Sequence, residues 1–399
     1  MASLMSLSFA VLTTVPFIMV LGNSMLIPVL PAMQKAMALN QLQTGLIITA
    51  FSIPAGITIP LAGFFSDRYG RKAVMVPSLA AYGAGGVVAG LAALFLAEPY
   101  LVIMAGRVLQ GIGAAGTANI ALALAGDSFS GNLRNRSLGI LEASNGAGKM
   151  ISPVAGALAG MLTWFTPFWV YAILSFPITA GVALLVRESK NRPSPQSLKT
   201  YSKNLGKIFE QKGVSLGASL LAGAVVLFLL FGVLFYLSDI LEQRFQIFGL
   251  TKGLILAIPV LASSATAYIT GSYLQGLGRK LLVAGGLGLT ALALGLFPFF
   301  NGLVPLFAIV AVVGVGAGLV LPTLNTLVTG SVDVKQRGMI TADYGAVRFL
   351  GVALGPPAFG LAMGLGEPIL FTAAAVLALA AAAAAFFLIR EQVLTLQPA

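Results

Sequence analysis

Twelve runs of apolar residues, each about as long as a membrane is thick, are the feature that most constrains this chain. A bilayer-spanning helix needs about 20 predominantly apolar residues, because the hydrocarbon core is about 30 Å thick. Asp, Glu, Lys and Arg make up only 9% of the 399 residues, whereas a soluble domain carries about 25%. The composition therefore predicts an all-α membrane protein with twelve transmembrane helices. The runs lie near residues 6–30, 43–65, 74–97, 101–125, 137–162, 165–187, 214–238, 250–275, 281–300, 303–328, 339–364 and 367–390.

One long polar stretch separates the first six runs from the last six. It contains Pro193, Pro195 and several Ser and Lys residues, a composition typical of a linker. A short surface helix is expected around Leu198–Phe209. We therefore predict an N-terminal six-helix bundle over residues 1–187, a linker over 188–213 and a C-terminal six-helix bundle over 214–399.

The positive charge of the chain lies mostly on one side of the predicted membrane. Of the 23 Lys and Arg residues, 17 fall in the linker, at the C-terminus or in loops on that side, three in loops on the other side and three inside runs. Cytoplasmic loops of membrane proteins carry the excess of Lys and Arg. Both termini and the linker are therefore predicted to be cytoplasmic, and the net charge of +11 gives no reason to expect nucleic acid as a partner.

The residues that are missing exclude most catalytic chemistry. The chain has no Cys and no His, so thiolate chemistry, disulfides and the commonest metal ligand are unavailable. No G-x-x-x-x-G-K-[ST] phosphate-binding motif is present. We therefore expect no enzyme activity, no catalytic residues, no bound metal and no cofactor.

The two halves of the chain repeat each other. The decapeptide Gly63–Lys72 matches Gly271–Lys280 at an offset of 208, and both follow the second run of their half. In the fifth run of each half, Gly148, Ser152 and Pro153 match three residues at an offset of 203. Two matches in register indicate duplication. Parallel six-helix repeats predict a pseudo-two-fold bundle around a binding site near the bilayer midplane.

These motifs resemble those of the major facilitator superfamily, and the resemblance covers the whole chain. The decapeptide is similar to the loop between the second and third spans of that family, and the later motifs resemble those of twelve-span drug:proton antiporters. The resemblance implies alternating access between the two halves, powered by a proton gradient. The antiporter motif is G-x-x-x-G-P-x-x-G, and Ser152 stands here in place of its second Gly. The residues that carry the resemblance are Gly63–Lys72, Leu21-Gly22, Pro28–Pro31, Arg107–Gly113, Gly148, Ser152, Pro153 and Gly156.

The resemblance also implies a cytoplasmic latch. In the family, the Asp and the later Arg of the decapeptide pair with an acid at the end of the fourth span. The matching residues here are Asp67, Arg71 and Asp127, and we expect them to hold the outward-open state. The alternative is a turn with solvated charges that serves topology alone. The second copy has Gln275 in place of the Asp, which predicts an asymmetric latch.

Ionisable residues inside a span normally face a cavity or pair with one another. Arg107 is the Arg of the fourth-span motif, which the family links to proton coupling; a snorkelling Arg is the alternative. Glu142, Asn145 and Lys149 fall within about 60° on one face of the fifth span. This polar stripe predicts part of the translocation path, with Glu142 as a proton acceptor. A static Glu142–Lys149 pair is the alternative.

In the eleventh span, Asp343 is a second candidate for proton coupling, or else a helix cap near the cytoplasm. Arg348 follows about 140° round the helix. The first span has Asn23 and Ser24 and no acid, so a proton site in that span is not expected. The complete predicted substrate cavity consists of Asn23, Arg107, Gln110, Asn119, Glu142, Asn145, Lys149, Tyr236, Asn325 and Arg348.

The sequence thus favours a proton-coupled exporter of small amphipathic molecules or drugs. We expect it to be a monomer in the cytoplasmic (inner) membrane, with its substrate, protons and lipid as its partners. Because the cavity holds bases as well as acids, the substrate need not be cationic. The alternative is a dedicated exporter or flippase of an anionic or zwitterionic metabolite, a siderophore or a lipid-linked molecule. An importer and an intramembrane enzyme are less favoured.

Overall fold

The computed structural model is almost entirely helical. It describes residues 6–186, 188, 198–274, 276–300, 302–332 and 336–394. Helix accounts for 89% of the structure, and no strand occurs among the described residues. The predicted all-α class is confirmed. Gln275 of the second motif copy, Lys335 and residues 189–197 of the predicted linker lie outside the described residues.

Twelve long helices follow one another in the described part of the chain, with a short thirteenth at its end. The first and fourth are each interrupted within their span. Their bounds are α1 Leu7–Ala36, α2 Gln41–Tyr69, α3 Arg71–Phe95, α4 Tyr100–Ser128, α5 Gly131–Leu162, α6 Thr166–Leu185, α7 Leu198–Gln243, α8 Gly249–Tyr273, α9 Arg279–Phe299, α10 Leu303–Gly330, α11 Arg337–Met363, α12 Glu367–Leu388 and α13 Glu391–Leu394.

Eleven of these helices, counted over the described residues, are long and apolar enough to cross a membrane. The exception is α5, which fills the place of the predicted fifth span and has 32 residues. Its N-terminal half carries Arg134, Arg136 and Glu142, and Lys149 follows just beyond its middle. The polar stripe predicted on the fifth span is therefore the reason that α5 falls short in hydropathy.

A helix does begin at Leu198, as expected, but it is not a short one that ends near Phe209. A single helix, α7, runs without interruption over 46 residues from Leu198 to Gln243. No proline occurs in this range, so every residue can continue the backbone hydrogen-bond ladder. The end of the predicted linker is thus continuous with the seventh span.

The chain divides into two compact units. Unit 1 comprises Met1–Asn40, Ile47–Gln196 and Phe248–Gly253, and unit 2 comprises Gln41–Leu46, Ser197–Ile247 and Leu254–Ala399. The first turns of α2 and α8 are thus grouped apart from the rest of their helices. The predicted bundle limits at residues 187 and 214 stay a prediction.

Glycines of α5 bring this helix close to α1 in unit 1. A Cβ atom on Gly148 would lie 2.9 Å from the carbonyl oxygen of Phe17, and one on Gly156 would collide with the carbonyl oxygen of Met25. Such spacing of small residues lets membrane helices approach closely. The glycines of the predicted antiporter motif therefore serve as the contact between α5 and α1.

The repeated motif in α11 packs in the same way within unit 2. Cβ atoms on Gly351 and Gly355 would collide with the carbonyl oxygens of Ala224 and Phe228 on α7. Gly351 is the counterpart of Gly148 at the offset of 203. In each unit, the motif helix therefore packs against the first helix of its half through glycines at matching positions.

Candidate functional site

A fully buried guanidinium lies within unit 1. Arg107 of α4 is 0% exposed. Its Nη2 donates to Asn23 Oδ1 over 2.6 Å, its Nη1 to Gln110 Oε1 over 2.8 Å and its Nε to the carbonyl oxygen of Ile47 over 3.3 Å. The guanidinium also lies 4.6 Å from the centroid of the Phe51 ring, a cation–π distance. Helices α1, α2 and α4 therefore meet at this side chain.

All three acceptors of Arg107 are neutral. None of the ion pairs formed among the described residues includes it. A buried charge is normally paired with an opposite charge, because removing an ion from water costs on the order of several kcal/mol. Here amide and backbone oxygens and an aromatic face take that role, so the cluster keeps a positive charge.

Asn23 also connects Arg107 to α2. Its amide nitrogen donates to Ser52 Oγ over 2.6 Å. The α-helical part of α1 ends at Ser24 and is followed by a 3₁₀ turn at Ile27–Val29 that contains Pro28. Asn23 thus lies where α1 is interrupted. Inside a membrane, irregular backbone is tolerated where it is buried in protein or lines a polar cavity.

Two buried tyrosines support the same stretch of α1. Tyr82 of α3 donates to the carbonyl oxygen of Ile18 over 3.1 Å, and Tyr171 of α6 lies 3.2 Å from the carbonyl oxygens of Leu21 and Gly22. The two rings are 5.7 Å apart and edge-on. The carbonyl oxygen of Leu21 also accepts from the backbone nitrogen of Met25, so the tyrosine hydroxyl groups add hydrogen bonds to the last turns of α1 before its interruption.

The polar stripe of α5 lies at the surface of unit 1. Glu142 and Lys149 are exposed and Asn145 is partly exposed, and Asn119 of α4 is exposed as well. These residues are therefore separate from the buried cluster at Arg107. On the same helix, the hydroxyl of the buried Ser152 has no hydrogen-bond partner among the described residues.

The predicted latch residues come together in space. Arg71 forms an ion pair with Asp67, and its Nε lies 3.2 Å from Asp127 Oδ2. Two contacts were not predicted: Glu188 Oε1 accepts from the backbone nitrogen of Arg71 over 2.6 Å, and Ser66 Oγ accepts from Arg71 Nη1 over 2.8 Å. The carboxylate of Glu188 therefore caps the N-terminus of α3, where an acid is favourable.

In unit 2, the predicted residues of α11 are partly exposed. One carboxylate oxygen of Asp343 and the Nε of Arg348 are buried and have no hydrogen-bond partner among the described residues, and the same is true of the hydroxyl of Tyr344. The Arg348 guanidinium lies 5.3 Å from the centroid of the Tyr344 ring. Sequence reasoning did not select Tyr344.

Tyr236 of α7 borders a cavity of about 370 Å³ within unit 2. Its hydroxyl donates to Glu367 Oε1 over 2.6 Å, and Arg244 Nη1 lies 3.5 Å from the same oxygen. Asp239 lines the cavity as well and is buried. Asn325 of α10 is exposed and is not among the residues that line it.

Sequence reasoning missed the residues that hold the motif residues in place. Ser52, Tyr82 and Tyr171 resemble ordinary core side chains, and no motif marks them. Asp239 was missed because the seventh run was ended at residue 238, whereas α7 continues to Gln243. A search for polar residues one turn beyond each apolar run would have found it.

A family model described as Major Facilitator Superfamily matches residues 12–251 and 220–398. The chain therefore belongs to the major facilitator superfamily and is a multi-pass membrane transporter, not an enzyme. The family predicted from the motifs is confirmed.

Three relatives illustrate the similarity. The bacillibactin exporter of Bacillus subtilis (strain 168) is 41% identical over 368 residues, which cover 91% of this chain and 92% of the relative. The class C tetracycline resistance protein of Escherichia coli is 26% identical over 341 residues, 84% of each chain. A bacterial homologue of the human lysosomal transporter Spinster, solved in an inward-facing and occupied conformation, has a TM-score of 0.77 at 16% identity and 98% coverage of both chains. The last comparison supports the fold alone.

Proposed function

We propose that this transporter is an exporter and that its substrate is bacillibactin or a compound closely related to it. The observation that carries the proposal is the 41% identity to the bacillibactin exporter over nine-tenths of both chains. The proposal corresponds to the dedicated exporter of one metabolite, which the sequence left as the alternative to drug export.

The charges inside the helices support a substrate that is not a simple cation. The guanidinium of Arg107 has only neutral acceptors, and Arg348 has no ion-pair partner among the described residues. Two uncompensated positive charges repel a cationic drug and attract an anionic or zwitterionic molecule. Export of drugs remains the second candidate, because the class C tetracycline resistance protein is 26% identical.

Export is proposed to be driven by proton antiport. Asn23 stands in the first span where a carboxylate would otherwise face Arg107, so coupling falls to other acids. Glu142 is exposed on α5 and Asp343 has an unpartnered carboxylate oxygen on α11. Both can gain or lose a proton without first breaking a buried ion pair.

The proposal includes the orientation of the protein in the cytoplasmic membrane. With both termini inside the cell, Arg71, Asp67 and Asp127 lie at the cytoplasmic ends of their helices. Their ion pairs would then close the cytoplasmic side and favour the outward-open state. Glu188 adds a fourth contact to the same arginine.

Transport by the purified protein in liposomes tests the proposal. The liposomes have an acidic lumen and contain a pH-sensitive dye, and bacillibactin or tetracycline is added outside. Antiport is expected to raise the lumenal pH on addition of bacillibactin, because protons leave as the substrate enters. Glu142→Gln or Asp343→Asn should abolish this change, whereas Glu98→Gln, which alters an exposed loop carboxylate, should not.

The outcomes separate the alternatives. A pH change with tetracycline but not with bacillibactin would favour the drug exporter. Bacillibactin uptake without any movement of protons would leave the exporter in place and refute proton coupling. If neither compound moves, the proposed substrate class is wrong.

A further inference from the structure

One face of α11 combines close packing with a charged side chain. Tyr344, Arg348, Gly351 and Gly355 fall within about 60° of one another at 100° per residue. A Cβ atom on Gly223 of α7 would lie 2.8 Å from the Tyr344 ring, and the two glycines of α11 pack against backbone carbonyl groups of α7. Arg348 therefore lies on the side of α11 that faces α7.

Two polar atoms on this face have no partner. Tyr344 is 1% exposed, and its hydroxyl makes no hydrogen bond among the described residues. The Nε of Arg348 is also buried and unpartnered, although the guanidinium lies only 5.3 Å from the Tyr344 ring centroid. Buried polar atoms in native structures nearly always have a partner, so two exceptions on one face call for an explanation.

The chemistry of the missing partner follows from the two groups. The Nε–H of Arg348 can only donate, and a tyrosine hydroxyl donates readily to an anionic oxygen. The guanidinium has no ion-pair partner among the described residues. Asp343 lies about 100° from Tyr344 and 140° from Arg348 around the helix, so its carboxylate is not on this face. An acceptor oxygen would satisfy both groups, and one with negative charge would also balance the guanidinium.

We propose that Tyr344 and Arg348 form a binding site for an anionic oxygen, such as a carboxylate, of the transported molecule. The inference rests on the proposed function, because it assigns the charge of the substrate and two residues that contact it. The partial exposure of Arg348 allows such a group to reach the guanidinium. Tyr344 holds the guanidinium in place through its ring and adds a second donor.

Transport kinetics of the full-length protein in liposomes test this site. Tyr344→Phe keeps the ring that packs on Gly223 and removes only the hydroxyl. It is expected to raise the KM for bacillibactin about tenfold, since a hydrogen bond to a charged group contributes that much or more. Arg348→Gln should raise the KM about ten- to hundredfold, and Arg348→Lys should restore part of the loss. Tyr268→Phe, at a tyrosine that is 69% exposed, is the matched control and should leave the KM unchanged.

Thermal unfolding distinguishes a ligand site from an unfilled polar position. If nothing binds the hydroxyl, Tyr344→Phe removes an unpaired buried group, so its Tm stays the same or rises while the KM is unchanged. That result would overturn the proposal. A raised KM at an unchanged or higher Tm supports it, because packing is then intact.

A second probe keeps the test independent of bacillibactin. Benzoate, benzamide and benzylammonium have nearly the same shape and carry negative, zero and positive charge. Benzoate alone is expected to raise the Tm of the wild-type protein, and Arg348→Gln and Tyr344→Phe should reduce that rise. If benzoate protects but bacillibactin is not transported, the proposed substrate fails and the anion site stands. If bacillibactin is transported equally by all variants and benzoate has no effect, the anion site is wrong and the exporter stands.

Discussion

Replacement of Asn23 tests whether a neutral side chain truly holds the buried charge of Arg107. Asn23→Ala removes the oxygen that lies 2.6 Å from Arg107 Nη2 and the nitrogen that lies 2.6 Å from Ser52 Oγ. Asn23→Asp has nearly the same shape as the native residue and keeps an acceptor for the guanidinium. The pair of variants therefore separates loss of contact from change of charge.

The size of the effect follows from the two hydrogen bonds. A hydrogen bond to a charged group contributes about 1.5–3 kcal/mol and a neutral one about 0.5–1.5 kcal/mol. Because Arg107 is 0% exposed, bulk water cannot readily replace the lost acceptor. We expect Asn23→Ala to lower the free energy of unfolding by about 2–4 kcal/mol. Asn23→Asp should recover at least about 1.5 kcal/mol of this, because it restores the charged hydrogen bond and the Ser52 hydroxyl can rotate to donate.

Equilibrium unfolding in mixed detergent and SDS micelles measures the difference directly. Asn119→Ala on α4, where the side chain is exposed, serves as the control and should change the free energy of unfolding by less than about 0.5 kcal/mol. The reasoning would be refuted if Asn23→Ala were as stable as the control. It would also be refuted if Asn23→Asp were as unstable as Asn23→Ala.

Three further predictions concern contacts elsewhere in the two units. Gly156→Ala should destabilise the protein by about 1–3 kcal/mol, because its Cβ would collide with a backbone carbonyl group of α1. Gly146→Ala, where the new Cβ meets open space, is the control and should be neutral or stabilising; thermal unfolding measures both. A double-mutant cycle of Arg71→Gln and Asp127→Asn should give a coupling energy below about 1 kcal/mol, because the pair is partly exposed, while the transport rate in liposomes falls. Tyr236→Phe should lower the Tm modestly, since it removes a 2.6 Å hydrogen bond to Glu367, and a Tm equal to that of the wild type would contradict this role.

The fold could be predicted from the sequence because an apolar run in a bilayer has to form a helix. Each run had to become a helix, since only a helix satisfies its own backbone groups in lipid. The errors lie at the ends of runs, where hydropathy carries little information. Helix α7 starts at Leu198 although its first turns are polar, and α5 begins at Gly131 although its first turns carry two arginines.

The candidate site was predictable only where a motif marks it. Arg71 and Asp127 belong to patterns with fixed spacing, and the structure places them in the expected ion pair. Arg107 also belongs to such a pattern, but its expected role in a cavity wall stays a prediction. The partners of these residues could not be predicted. Asn23 lies 84 positions from Arg107, and Tyr171 lies 150 positions from the carbonyl group that it contacts. Such pairs depend on how whole helices pack, and a tyrosine that donates to a carbonyl group of another helix has the same sequence environment as one in an ordinary core.

The two embedded arginines differ in a way that indicates different roles. Each nitrogen of Arg107 donates to a protein oxygen. Because the residue is fully buried, a ligand can reach it only if neighbouring side chains such as Asn23 or Gln110 move. Arg348 is partly exposed, and its Nε and the neighbouring tyrosine hydroxyl are unpartnered. A positive charge that is fully buried among protein acceptors supports structure and sets the local potential, whereas a partly exposed one with an unpartnered donor is ready to bind. The loss of stability should therefore be largest at Asn23 and the loss of substrate affinity largest at Arg348, and a reversal of that order would exchange the two roles.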